Sequence, residues 1–182
     1  LIELLVVIAI MMVMASLLIP AFKNITGGFN ITSAAEELAG TINLARQRAT
    51  ASSHNTSIRF YRDGSASGPF KSYQIWEQAD MTDPSSWNSK DKEQKLAQGL
   101  IASADTNFSP LLNLTSKTTN GRTYAEFYLT PNGSVAVPKD KAFLTIHSET
   151  DPKTGGAVAG LPPNFATVSI EPFNGRSRVY RP

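Results

Sequence analysis

The chain has 182 residues, 17 basic against 15 acidic, a formal charge of +2 and no cysteine. That length suits one domain with an appendage, the charge is too mild to argue for nucleic acid by itself, and without cysteine there can be no disulfide, thiolate metal site or cysteine nucleophile. The two histidines, His54 and His147, lie far apart without ligand spacing, so neither a zinc site nor a Ser/His/Asp triad is expected.

Residues 1–19, LIELLVVIAIMMVMASLLI, are almost continuously apolar. About 20 such residues in a helix rising 1.5 Å each match the hydrocarbon thickness of a bilayer, so residues 1–22 are expected to form a membrane-competent helix. Glu3 is the exception, since a carboxylate in lipid costs at least a few kcal/mol unless something pairs with it or neutralises it. No Lys or Arg occurs before Lys23, which leaves an α-amino group, its own or a neighbouring copy's, as the available cation. The plainer alternative is a glutamate at the interfacial end of an ordinary anchor helix.

The opening LIELLVVIAI closely resembles the N-terminal hallmark of type IV pilins and pseudopilins. In that family a phenylalanine, usually followed by threonine, precedes LIELL after prepilin peptidase has cut the leader and methylated the new N-terminus. The resemblance implies that two residues precede Leu1, and that Glu3 meets the methylated amine of an adjacent subunit. It also implies that Pro20 sits where many pilins kink or melt the helix. Met12 departs from the pattern, since pilins that melt in the filament often have glycine there.

Proline within a helix removes a donor and clashes with the preceding turn, so a bend is expected near Pro20, with Gly27 and Gly28 following. Ser33-Ala34-Ala35-Glu36 reads as a capping box and predicts a helix start after a pause over 24–32. Beyond it Ile31, Ala35, Leu38, Ile42, Ala45 and Ala49 recur at spacings of four and three and predict one core-facing stripe, with Glu37, Gln47 and Arg48 off it. Residues 23–53 are thus the amphipathic second half of a helix whose first half no head of this size could cover. A fibre of identical helices packed by a non-closing contact would cover it.

From residue 54 the period changes to two and a β-rich head is expected over 54–182. Strands are predicted at Ile58–Tyr61, Tyr73–Trp76, Tyr124–Leu129, Ser134–Val137, Ala142–His147, Ala166–Glu171 and Arg176–Tyr180. Asp63-Gly64 marks a turn, and Asn132-Gly133 and Asn174-Gly175 predict antiparallel hairpins with positive φ at both turn positions. Residues 81–99 and 150–163 are expected to be long surface loops. The fold class is therefore α+β, with a long N-terminal α-helix packed by its second half on an antiparallel sheet.

The stretch AAEELAGTINLARQRATASSHNTSIRFY, with Ala45-Arg46-Gln47-Arg48-Ala49 at its heart, resembles the GspH/FimT-type pilin group. Leu129-Thr130-Pro131-Asn132-Gly133-Ser134 and Asn174-Gly175-Arg176-Ser177-Arg178-Val179 fit the same group. DNA-binding minor pilins of this group use a Gly-Arg-x-Arg tail like Gly175–Arg178, so Arg176, Arg178 and Arg181 are candidates for sequence-independent phosphate contact. Charges that protect an edge strand are the competing explanation. Six Asn-x-Ser/Thr sequons mark permitted glycosylation sites at Asn24, Asn30, Asn55, Asn107, Asn113 and Asn132, and the four in the head are the candidates. Trp76 and Trp87 are expected to be packing residues.

No glycine-rich phosphate loop or nucleophile elbow appears, so no catalytic residue, metal or cofactor is expected. The expected function is a structural subunit of a type IV pilus-like filament. The alternatives are a minor pseudopilin of a type II secretion system or a DNA-capturing minor pilin. The resemblance implies as partners other copies of the chain, prepilin peptidase, an assembly platform and the inner membrane before export to the cell surface.

Overall fold

A computed structural model describes residues 2–64, 68–119, 121–150, 162 and 164–181; side chains at 5, 15 and 17–29 lie outside the description. Helix α1 runs from Ile2 to Ser52, 51 residues or about 77 Å of helix at 1.5 Å per residue. Its helical assignment passes unbroken through Pro20, Gly27 and Gly28, so the expected pause over 24–32 is absent. Ser33 and Glu36 accordingly stand inside a helix rather than at its start. The capping box is overridden because the buried stripe begins at Ile31, before the box, and tertiary packing rather than local capping decides where a helix persists.

That stripe is as expected: Ile31, Ala35, Leu38, Ile42, Ala45 and Ala49 are all essentially inaccessible, whereas Glu37 and Gln47 are exposed. The small alanines let the helix lie close to the sheet. It stops where Ser53 takes a left-handed φ of 56°, the usual way to leave a helix, although glycine more often does it. Ser52 Oγ donates to the carbonyl of Arg48 and accepts from the amide of His54.

The head is one sheet in which every pairing is antiparallel. Its strands are β1 (Thr56–Arg62), β2 (Phe70–Gln78), β3 (Trp87–Ser89), β4 (Gln94–Lys95), β5 (Leu100–Ala102), β6 (Ser116–Thr119), β7 (Arg122–Leu129), β8 (Phe143–Ser148), β9 (Phe165–Ile170) and β10 (Ser177–Tyr180). The spatial order is β10-β9-β8-β5-β2-β1-β7-β6, with β3 and β4 also paired to β2. Alternation along the strands sends Ile58, Phe60, Ile75, Phe127, Leu144 and Val168 into the core beneath α1. Phe60 stands between Tyr73 and Phe127 at ring separations of 5.8 and 6.3 Å.

Several expectations change. Ser134–Val137 is not a strand: only an isolated bridge joins Leu129 to Val135, because the Val135 amide donates to the Pro172 carbonyl rather than into a ladder with β7. The expected loop over 81–99 contains β3 and β4, which pair with β2 at its Gln78 and Ser72 ends. Strands β5 and β6 were not foreseen, the first being three residues long and the second, Ser-Lys-Thr-Thr, fully exposed. The expected loop at 150–163 lies outside the described residues apart from Thr150 and Pro162.

The Asn174-Gly175 connection does join an antiparallel pair, β9 and β10. Only the glycine has positive φ, however, at 61°, as Gly133 does at 81°. Each asparagine works instead through its side chain, Asn132 Oδ1 accepting from the amide of Ser134 and Asn174 Oδ1 from that of Arg176. These are Asx turns, which hold a chain reversal without a left-handed asparagine.

Candidate functional site

The two halves of α1 share a helix but not an environment. Every described side chain from Ile2 to Met14 is exposed, including Ile2 at 78% and Met12 at 68%. The head covers none of them, since the buried stripe begins only at Ile31. A contiguous apolar surface of this extent marks an interaction surface. Glu3 is exposed among these groups, with no ion-pair partner among the described residues. Among the described residues, no helix is long and apolar enough to cross a membrane.

The sheet face away from α1 carries a polar network that the sequence did not reveal. Arg59 and Glu126 are register partners across β1 and β7, and Arg59 Nε donates to Glu126 Oε2 at 2.9 Å. The carboxylate is almost wholly buried; Lys117 Nζ lies 2.6 Å from its other oxygen and the Tyr128 hydroxyl donates to that same oxygen. Burial alone would raise the Glu126 carboxyl, but hydrogen bonds from Lys117, Tyr128 and Arg59 outweigh it and hold the group below its ordinary value. The Arg59 guanidinium sits 4.0 Å from the Trp76 ring centroid and 4.9 Å from that of Tyr124, where cation–π attraction helps replace lost hydration. Trp87 packs on Tyr128 at 5.3 Å. Both tryptophans are thus packing residues, as expected.

A charged residue between apolar ones in a strand, as in Ile58-Arg59-Phe60 and Ala125-Glu126-Phe127, indicates the opposite sheet face. It cannot reveal that two such residues share a register. The segment after β2 is held by similar means: Asp91 takes a two-pronged contact from Arg48 of α1. Glu93 receives Arg122 at 2.8 and 2.9 Å and the Ser72 hydroxyl.

The three C-terminal arginines do not form one cluster. Arg176 and Arg178 are exposed at the turn and edge strand, whereas Arg181 donates to Thr32 of α1 and to Asn164. Among the candidate sequons, Asn107 and Asn132 are exposed. The amide nitrogens of Asn55 and Asn113 are instead engaged, donating to Gln78 Oε1 at 2.8 Å and to the Ser109 carbonyl at 2.9 Å. Asn24 lies where side chains are not described, and Asn30 is exposed on the helix.

The three stretches that carry the head's resemblance meet at one place. Arg46 of α1 lies along the 130–134 turn, its side chain in van der Waals range of a Cβ placed on Gly133. Its Nη1 donates to the Asn174 carbonyl at 3.3 Å. The turn over 171–176 thereby docks on the helix through a residue of the Ala-Arg-x-x-Ala motif.

A long N-terminal helix laid by its second half across an antiparallel sheet is the fold of type IV pilin and pseudopilin subunits. Among solved structures, the minor pseudopilin EpsH from the type 2 secretion system of Vibrio cholerae is similar at a TM-score of 0.50 and 13% identity, over 84% of this chain and 98% of that one. The type IV minor pilin FimU of Pseudomonas aeruginosa strain PAO1 is similar at a TM-score of 0.47 and 18% identity, over 83% of this chain and 88% of that one. No protein-family model matches the chain, and no curated protein matches it.

Proposed function

We propose that the chain is a structural subunit of a type IV pilus-like extracellular filament that polymerises through the first half of α1. The observation that carries this reading is the exposed apolar surface from Ile2 to Met14 on a helix whose second half is fully committed to the head. Such a surface needs a dry environment twice, in the inner membrane before assembly and against other copies afterwards. Residues 1–22 serve both needs, and the exchange of lipid for neighbouring helices lets one sequence be an anchor and a fibre core. Processing by a prepilin peptidase supplies the free amine that Glu3 requires, and an assembly platform performs the extraction. Pairing that carboxylate with a neighbour's N-terminal amine sets the axial position of each incoming subunit.

Glu3→Ala tests the pairing. The variant is expected to insert into membranes normally and to yield few or no surface filaments, because insertion uses apolarity whereas assembly uses the ion pair. Filaments at ordinary yield from this variant would overturn the role given to Glu3.

A second reading, a minor pseudopilin in a type II secretion system, is supported by the likeness to EpsH over 98% of that solved chain. Abundance separates the two: a principal subunit dominates sheared fibres, whereas a minor one is present in trace. The nucleic-acid alternative retains the exposed Arg176 and Arg178. Replacing both with Ala should weaken DNA binding and flatten its salt dependence if that reading holds.

A further inference from the structure

From a hollow of about 250 Å³ on the head, we infer a binding site for a small oxyanion, a carboxylate or phosphate group, between Arg62, Lys71, Lys95 and Arg122. These four cations come from four different strands, β1, β2, β4 and β7, so the sheet itself brings them together. Two carboxylates, Asp63 and Glu93, share the lining, and both are already engaged. Asp63 lies 2.9 Å from Lys71 Nζ, which also holds Glu149 at 2.9 Å. Glu93 is held in a two-pronged contact by Arg122.

That leaves Arg62 and Lys95 without a carboxylate in ion-pair contact among the described residues. Arg62 Nη1 donates to the Gly68 carbonyl at 2.6 Å and its guanidinium lies 4.3 Å from the Phe70 ring centroid. Its Nε, by contrast, is buried and has no acceptor among the described residues. A buried donor without a partner costs free energy that an incoming acceptor would recover. A guanidinium with a free N–H, facing an ammonium from a strand on the other side of β2, is an arrangement that recognises a planar or tetrahedral oxyanion. Lys95 is exposed on β4, so its ammonium can turn to meet a ligand without breaking a contact.

The test uses the full chain, 15N-labelled in detergent micelles, titrated separately with sodium phosphate and sodium acetate, with sodium chloride as the ionic-strength reference. The Arg62 Nε–H resonance should shift saturably with at least one of the two anions. Response to phosphate alone assigns the site to phosphate groups, response to acetate alone to carboxylates, and response to both to oxyanions generally. Lys95→Gln should weaken that binding severalfold, whereas Lys139→Gln, an exposed lysine outside the hollow, should leave it unchanged. Unaltered backbone amide shifts in β1 and β2 confirm that the variants keep the fold. Shifts no larger than chloride produces, or saturable binding that Lys95→Gln leaves intact, would overturn the assignment.

Discussion

Gly175 and Gly133 meet so closely that a Cβ on Gly175 would stand 2.3 Å from the Gly133 carbonyl oxygen. The same Cβ would press on Arg46 Cδ at 3.1 Å and Leu129 Cδ2 at 3.2 Å. Two turns far apart in sequence are thus docked backbone to backbone under one helix arginine, and the left-handed φ of Gly175 adds its own demand for glycine.

Gly175→Ala is therefore expected to cost about 3 kcal/mol, combining a left-handed alanine with overpacking. Gly64→Ala, also at positive φ but with nothing within 4 Å of its Cβ, should cost only about 1 kcal/mol. Denaturant midpoints of the two variants check the difference; equal losses would show that the close approach contributes nothing.

Glu126→Ala leaves Arg59 largely buried without its carboxylate, and should destabilise the head by about 3 kcal/mol, within the range for breaking a buried pair. Arg59→Met with Glu126→Gln removes both charges together and should recover much of that loss. Urea unfolding of the single and double variants measures the coupling.

Glu93 links acid stability to the clamp between β4 and β7. Two-pronged hydrogen bonding from Arg122 is the main cause that lowers its carboxyl from 4.5 to about 2, and the Ser72 hydroxyl adds to it against the effect of burial. A depressed folded-state value means the stabilisation is fully present above the unfolded value of 4.5 and is lost as pH falls from there towards 2. Because the pair is partly open to solvent, the contribution should be about 1 kcal/mol. Glu93→Gln should lower the melting temperature at pH 7 and have little effect at pH 2, as followed by thermal unfolding across that window.

Along the second half of α1, Leu38→Ala should cost about 3 kcal/mol, since its side chain is fully buried in the core. Leu44→Ala, on the opposite side and 42% exposed, should stay within about 0.5 kcal/mol. Comparable losses at both positions would contradict the assigned stripe.

The stripe was legible because helical periodicity and burial are the same fact read twice, and the positions spaced from Ile31 to Ala49 all reach the core. Strands β1, β7, β8 and β9 were legible from short runs rich in apolar, aromatic and β-branched residues, although only β9 alternates in burial along its length. The pause before Ser33 was misread because a capping box is local, whereas the packing that carries α1 past it is not. Ser134–Val137 has the composition of a hairpin partner, but only the tertiary structure reveals that the Val135 amide bonds to the Pro172 carbonyl instead of to Tyr124–Leu129. The Arg59–Glu126 pair and the hollow beside Arg62 depend on cross-strand register, which no single strand encodes. Exposure of the described side chains from Ile2 to Met14 followed directly from the apolarity of residues 1–19 against the size of the head.

The most direct test of self-assembly through α1 uses the absence of native cysteine. Single variants Met11→Cys and Lys139→Cys are expressed in cells that assemble filaments, and the filaments are sheared and treated with a short bifunctional thiol crosslinker. Met11→Cys should give covalent dimers and higher species between neighbouring helices, while Lys139→Cys, on an exposed part of the head, should remain largely monomeric. Efficient crosslinking at Lys139 with none at Met11 would show that copies join through their heads, contrary to a fibre built on the apolar helix.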